Sequence, residues 1–105
     1  MGPSKTPNKV EREWMALVAD FGCVACKQDG HDSPASVHHI TSGFRRVGHL
    51  ATIGLCEPHH KSDGRQVPSV HMQKRTFAAR YGSELELLAR LKVELGVFDR
   101  YEVQA

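Results

Sequence analysis

VHHITSGFRRVGHLATIGLCEPHH, Val37 to His60, is the stretch whose reading decides the fold. It opens and closes on a His-His pair, and Cys56 stands four residues before His60. Val37 to Thr41 reads as a strand, and Ser42 to Gly48 as a basic loop bounded by glycine. Leu50 to Leu55 holds Thr52, Ile53 and Leu55, which suits a second strand. Pro58 falls where a helix starts, since proline is favoured in a first turn. That helix carries His59 and His60 and fades near Asp63-Gly64. In a strand, consecutive side chains point to opposite faces. His38 and His39 are therefore expected to separate, and a single ion takes one of them.

Outward from this unit, the N-terminal side begins with a short polar segment carrying two prolines, so residues 1–8 are expected to form a disordered arm. Asn8 can cap a helix with Glu11 three residues on. Val10, Trp14, Leu17, Val18 and Phe21 then share a helical face, and Gly22 stops it. Cys23 to Cys26 is expected to be a short turn. Lys27 to Ser36 is a polar loop holding Gly30 and Pro34, with His31 exposed in it. On the C-terminal side, Gln66 to Val70 reads as a loop and Met72 to Tyr81 as a helix stopped by Gly82. Ser83 and Glu86 form a capping box for a last helix. Its expected apolar face is Leu85, Leu88, Leu91 and Leu95, and Gly96 ends it. No repeat or linker divides the chain. Residues 9–105 are thus expected to form one α+β domain, with the strand–loop–strand–helix unit between N- and C-terminal helices.

The chain has 105 residues and 40% hydrophobic content, enough for one domain with a modest core. A structural metal would add materially to its stability. No apolar run is long enough to span a bilayer. Three cysteines are an odd count, so a purely disulfide framework leaves one over. With seven histidines also present, metal ligation is the more natural use, and it implies a reducing compartment. The net charge is only +2, but its distribution is uneven. From His38 to Arg80 the chain carries seven Lys/Arg against Glu57 and Asp63, while both flanks are net acidic. The basic excess coincides with the histidines, which suits a polyanionic partner.

Cys23-x-x-Cys26 and Cys56-x-x-His59 are two pairs with the gap that lets neighbouring side chains reach one tetrahedral ion. Cys3His is a common structural zinc set. The competing reading is three buried apolar cysteines, which leaves both spacings to chance. Four histidines remain. His38 and His60 are placed to meet over a second ion, and His71 to add a third imidazole. His39, on the other face of its strand, is free to act as a base near neutral pH. A non-catalytic zinc module that binds DNA or a partner protein explains the Cys3His set and the basic segment. It leaves His38, His39, His60 and His71 without a use.

The order Cys-x-x-Cys, His-His-Ile, Leu-Cys-x-x-His-His resembles the HNH nuclease superfamily, with its ββα-metal core and embedded zinc knuckle. "FGCVACKQDG", "HHITSG", "TIGLCEPHH" and "VHMQKRTFAARYGSELELL" together resemble the phage Ref-type RecA-dependent nucleases, from about Glu11 to Leu95. The resemblance implies a metal-dependent DNA endonuclease of phage or prophage origin, in the bacterial cytoplasm, working with a RecA-type recombinase filament. It assigns Cys23, Cys26, Cys56 and His59 to structural zinc and His39 to the general base. His38 and His60 would hold a catalytic divalent ion (Mg²⁺, Mn²⁺, Ni²⁺ or Zn²⁺), and His71 joins that site. Arg45, Arg46, Lys61, Arg65, Lys74 and Arg75 are expected to contact phosphates. The chain departs from the HNH pattern at His49-Leu50-Ala51, where relatives place Asn or Asp. It departs again at Gly54, where relatives often have Pro.

Overall fold

In the computed structural model, residues 6–42, 45–61, 67–97 and 100–102 are described, the side chains of Ser42 and Arg45 excepted. Most of the expected N-terminal arm lies outside them. Along the chain run α1 (Lys9–Phe21), α2 (Val24–Gln28), β1 (Ser36–His39), β2 (Thr41–Ser42), β3 (Arg45–Arg46), β4 (Thr52–Leu55), α3 (Glu57–Lys61), α4 (Lys74–Tyr81) and α5 (Glu84–Leu95). None of the described helices is long and apolar enough to cross a membrane.

The centre of the fold is the antiparallel pair of β1 and β4, in which His38 lies opposite Ile53 and His39 opposite Thr52. Every residue of β4 is buried, and α1, α2 and α5 all touch it. Helix α1 starts at a complete capping box: Glu11 N–H donates to Asn8 Oδ1, and Asn8 N–H to Glu11 Oε1, both at 2.8 Å. Such a cap contributes about 1 kcal/mol. Trp14 and Val18 are fully buried, while Val10 is 46% exposed, contrary to the expected face. Val10 lies in the first turn, four residues before Trp14, the first buried residue of the helix. Trp14 Nε1–H donates to Thr52 Oγ1 at 2.8 Å, which ties α1 to β4.

The two segments approach closely at glycines. A Cβ on Gly54 would lie 2.5 Å from the Gly22 carbonyl oxygen and 3.1 Å from that of Val18. Only glycine lets β4 run this close to the end of α1. Gly22 itself has φ +92°, and a Cβ there would meet the Ser33 carbonyl at 2.8 Å.

Other expectations shift locally. The Cys23–Cys26 turn is the start of a short helix, α2, with Cys23 as its N-cap and Cys26 N–H donating to Cys23 Sγ at 3.4 Å. The basic loop carries a minimal antiparallel pair, β2 with β3, matching Thr41 to Arg46 and Ser42 to Arg45. Helix α4 begins at Lys74 rather than Met72, because Ser69 and Gln73 offer local partners. Met72 N–H donates to Ser69 Oγ at 3.1 Å, and Ser69 N–H to Gln73 Oε1 at 3.0 Å, a turn that competes with helix.

The Ser83–Glu86 capping box forms as expected, and Gly96 closes α5 in the left-handed conformation at φ +69°. Its buried stripe is Leu87, Leu88 and Leu91, whereas Leu85 is 59% exposed. The stripe runs 84, 87, 88, 91, 95, so its N-terminal member is Glu84 and Leu85 lies to one side. Buried Tyr101 packs against Trp14 of α1, with ring centroids 5.4 Å apart and planes tilted by 40°.

Candidate metal centres and active site

Cys23 and Cys26 come from the start of α2, Cys56 from the residue after β4, and His59 from α3. All four are buried. His59 Nδ1 lies 3.5, 3.5 and 3.2 Å from the sulfurs of Cys23, Cys26 and Cys56, and the Cys26 and Cys56 sulfurs are 3.6 Å apart. A tetrahedral ion with metal–sulfur bonds of about 2.3 Å and a metal–nitrogen bond of about 2.0 Å sets edges near 3.6 and 3.8 Å. The cluster fits such an ion. Burial pushes the Cys23 thiol up to about 12 and raises Cys26 as well. The thiols thus stay neutral until a cation compensates their charge.

The far nitrogen of His59 is held too. His59 Nε2 is 2.8 Å from Tyr81 Oη, which donates to Asp29 Oδ2 at 2.7 Å, and Arg80 donates to the other Asp29 oxygen at 3.3 Å. Because Tyr81 donates to Asp29, its oxygen accepts from His59 Nε2–H. That tautomer aims the Nδ1 lone pair at the three sulfurs. Burial and the bond to Asp29 raise the Tyr81 hydroxyl, so it stays protonated. Nothing in the local spacing marks Tyr81 or Asp29, because the pair is 52 residues apart in sequence.

The second cluster joins His38 of β1, His60 of α3 and His71, whose ligand atoms all lie within 4.8 Å of one another. His59 and His60 are consecutive on a helix, so they point about 100° apart and serve different clusters. His71 reaches His60 through two backbone bonds onto α3, Val70 N–H to His59 O at 2.8 Å and His71 N–H to His60 O at 3.0 Å. His38 Nδ1 faces His60 Nε2 at 3.2 Å. Ser36 Oγ lies 3.3 Å from His60 Nδ1 and 3.5 Å from the Leu55 carbonyl oxygen. On the other side of the His38 ring, Nε2 meets Glu84 Oε1 at 2.5 Å. With the His60 proton on Nδ1, facing Ser36 Oγ, and the His38 proton on Nε2, facing Glu84, two ring lone pairs confront each other across the cluster, an arrangement that a cation relieves. Their 3.2 Å separation matches neighbouring nitrogens on one ion, about 3.0–3.4 Å apart for bonds near 2.1 Å. Burial, then the neighbouring His38 and His71, drop His60 to about 4, and burial lowers His71. Both are neutral, ligand-ready imidazoles at pH 7.

His39 points away from that cluster, as strand alternation requires. Its Nε2 lies 3.0 Å from His49 Nδ1. His49, one of the three residues His49-Leu50-Ala51 expected to depart from the HNH pattern, is buried. Burial, then the charges of Arg46, His49 and His38, lower His39. His38, His39 and His71 nevertheless line one cavity of about 190 Å³ with Thr41, Val70, Lys74 and Glu84. A more apolar cavity of about 230 Å³ adjoins it but carries no histidine.

Of the expected phosphate contacts, Arg46, Lys61, Lys74 and Arg75 are exposed, and Lys74 lines the histidine cavity. Arg65 and the Arg45 side chain lie outside the described residues. Sequence reasoning missed Glu84, a half-buried residue whose carboxylate meets the cluster although it reads as an ordinary first-turn acid. His31 is exposed, as expected.

Fold and clusters together define a small α+β domain with a buried Cys3His group able to hold an ion such as zinc and a triad of imidazoles beside it. The chain belongs to the recombination-enhancement, RecA-dependent nuclease family, which it matches over residues 7–95. Membership makes it a nuclease of recombination, a hydrolase acting on DNA in dependence on RecA. No curated protein matches the chain.

Proposed function

We propose that the chain is a metal-dependent DNA endonuclease of the HNH type, with β1, β4 and α3 as its ββα-metal core. Phage or prophage origin and the cytoplasm of a bacterial host go with this reading. The observation that carries it is the convergence of His38, His60 and His71 on one another, with His39 beside them. Cys23, Cys26, Cys56 and His59 hold the structural zinc that pins α2, β4 and α3 together. His38, His60 and His71 hold the working divalent ion. An imidazole set favours Mn²⁺, Ni²⁺ or Zn²⁺ over Mg²⁺. When bound, that ion supplies positive charge for the phosphate oxygens of the transition state.

His39 is the base. Its Nε2–H donates to His49 Nδ1, which leaves Nδ1 of His39 open. That nitrogen takes a proton from water, and the hydroxide attacks phosphorus. The bond from phosphorus to the 3′ oxygen breaks, the 3′ oxygen takes a proton from solvent, and a 5′-phosphate remains. His49 here orients the base in place of the usual amide. Lys74 and Arg75 at the start of α4, Arg46 on β3 and Lys61 at the end of α3 bind flanking phosphates, with Arg45 and Arg65 in the same basic segment. Affinity from such contacts falls steeply with salt.

The test is nicking of supercoiled plasmid with a panel of divalent ions, with and without a RecA filament, wild type against His39→Ala. Loss of cutting at unchanged zinc content supports the assignment. Equal residual activity removes His39 from the base role. Absence of cutting by wild type under every condition leaves the zinc-stapled DNA-binding module.

A further inference from the structure

We propose that Glu84 is the positioning residue of the imidazole triad: it accepts the Nε2–H of His38 and thereby aims the ring's Nδ1 lone pair at the ion shared with His60 and His71. The proposal rests on the reading of that triad as a metal site. Glu84 Oε1 lies 2.5 Å from His38 Nε2, and the two side chains are only 11% and 7% exposed. The contact joins α5 to β1 across 46 residues of sequence. A carboxylate this sheltered accepts a strong, charge-assisted hydrogen bond.

The geometry excludes a direct role as ligand for Oε1, because it sits on the nitrogen that faces away from His60. The second carboxylate oxygen forms a looser ion pair with Lys74 Nζ at 3.7 Å. Lys74 is the first residue of α4 and its side chain is mostly exposed, so the bond to His38 is the one that orients the carboxylate. The Ser83–Glu86 capping box sets the start of α5 and hence the place from which Glu84 reaches down. The other centre follows the same logic, with Tyr81 behind His59. Behind His60 stands the neutral Ser36 hydroxyl. Among the described partners, Glu84 is the anionic one in direct contact with a triad imidazole. It makes His38 the most electron-rich donor of the set and fixes its tautomer before the ion arrives.

The experiment uses the zinc-loaded chain titrated with Ni²⁺ by calorimetry, for wild type, Glu84→Gln and Glu84→Ala. Histidine ¹⁵N–¹H NMR on the same samples before Ni²⁺ reads the tautomer of His38. Zinc content and thermal melting are recorded in parallel. Loss of the outer partner of a ligating histidine weakens metal binding by roughly 10–100-fold. Glu84→Ala is expected to show that loss and to turn the single Nε2–H tautomer of His38 into a mixture. The amide oxygen of the Gln variant still accepts the bond, so Glu84→Gln is expected to keep the tautomer and lose less affinity. If the Ala variant fails to fold, retained tautomer with weakened Ni²⁺ binding in Glu84→Gln supports the role by itself. Unchanged Ni²⁺ affinity in the folded variants overturns it, and so do equal losses in both or a mixed His38 tautomer in wild type. No Ni²⁺ binding by wild type beyond the zinc overturns the metal reading of the triad, and the role of Glu84 with it.

Discussion

Replacing Gly54 with alanine adds one carbon atom at the most crowded glycine contact among the described residues. The new Cβ meets the Gly22 carbonyl oxygen at 2.5 Å, whereas ordinary van der Waals contact begins near 3.4 Å. The strand and the end of α1 must therefore part by about 0.9 Å in a core that packs like a crystal. Neither side can yield cheaply. The Gly22 carbonyl is backbone, the Val18 carbonyl oxygen at 3.1 Å and Ala35 Cβ at 3.2 Å close the other sides, and Cys56 follows two residues later. Overpacking of this kind costs about 1–3 kcal/mol. Gly54 is not among the glycines with positive φ, so alanine also reduces the freedom of the unfolded chain, which favours folding by about 0.4–1 kcal/mol. The clash is the larger effect. In a domain of this size each kcal/mol moves Tm by about 4–8 °C, so a drop of roughly 5–15 °C is expected. Differential scanning calorimetry of the zinc-loaded protein measures it. A Tm equal to wild type or above it would refute the close approach of β4 to α1, and with it the register that carries Cys56 to the cluster.

Tyr81→Phe removes the hydroxyl between His59 and Asp29 and should weaken zinc binding roughly 10–100-fold, read by competition with a chromophoric chelator. An unchanged affinity would sink the relay. His60→Ala should abolish binding of a second, exchangeable ion while leaving one tightly held zinc, as counted by mass spectrometry of the native protein. Metal-free protein should lose stability as pH falls. The folded state holds His39, His59, His60 and His71 below the ordinary histidine range near 6.5, chiefly by burial. The unfolded chain therefore takes up more protons below about pH 6.5, and stability present above that pH is lost as pH falls toward about 4, where His60 titrates in the fold. Urea midpoints at three pH values spanning this window measure it, and a flat profile would contradict the lowered titration of these rings.

Much of this architecture was legible from local chemistry. Asn8 with Glu11 and Ser83 with Glu86 announce two helix starts, because capping is decided within four residues. The Cys-x-x-Cys and Cys-x-x-His spacings bring together a cluster that the fold closes, because each pair sits on one turn. Alternation along a strand separates His38 from His39 without further information. What escaped is what depends on long-range packing. Leu85 and Leu87 have equal helical credentials, and only the position of β4 beneath α5 decides which is buried. Glu84 reads as a first-turn acid suited to a helix N-terminus. Its burial against His38 follows from how α5 crosses the sheet, which no spacing encodes. Asp29 and Tyr81 are invisible for the same reason.

The two clusters are not independent, and α3 is where they join. Five residues make little more than one turn, far too short to hold helical form alone. This turn is fixed from outside: Cys56 and His59 belong to the Cys3His group, and His60 N–H donates to the Cys56 carbonyl at 2.8 Å. With His59 pinned among three sulfurs, the rotation of the turn about its axis is set. The direction of His60, one residue on, is then set as well. The segment Val70–His71 hangs on the carbonyls of His59 and His60. Two of the three imidazoles of the triad thus take their places from the fold around the first centre, and only His38 is placed by the sheet. On the metal reading proposed above, an ion in the Cys3His group would hold this one helical turn at one angle, and through it would keep His60 and His71 facing His38.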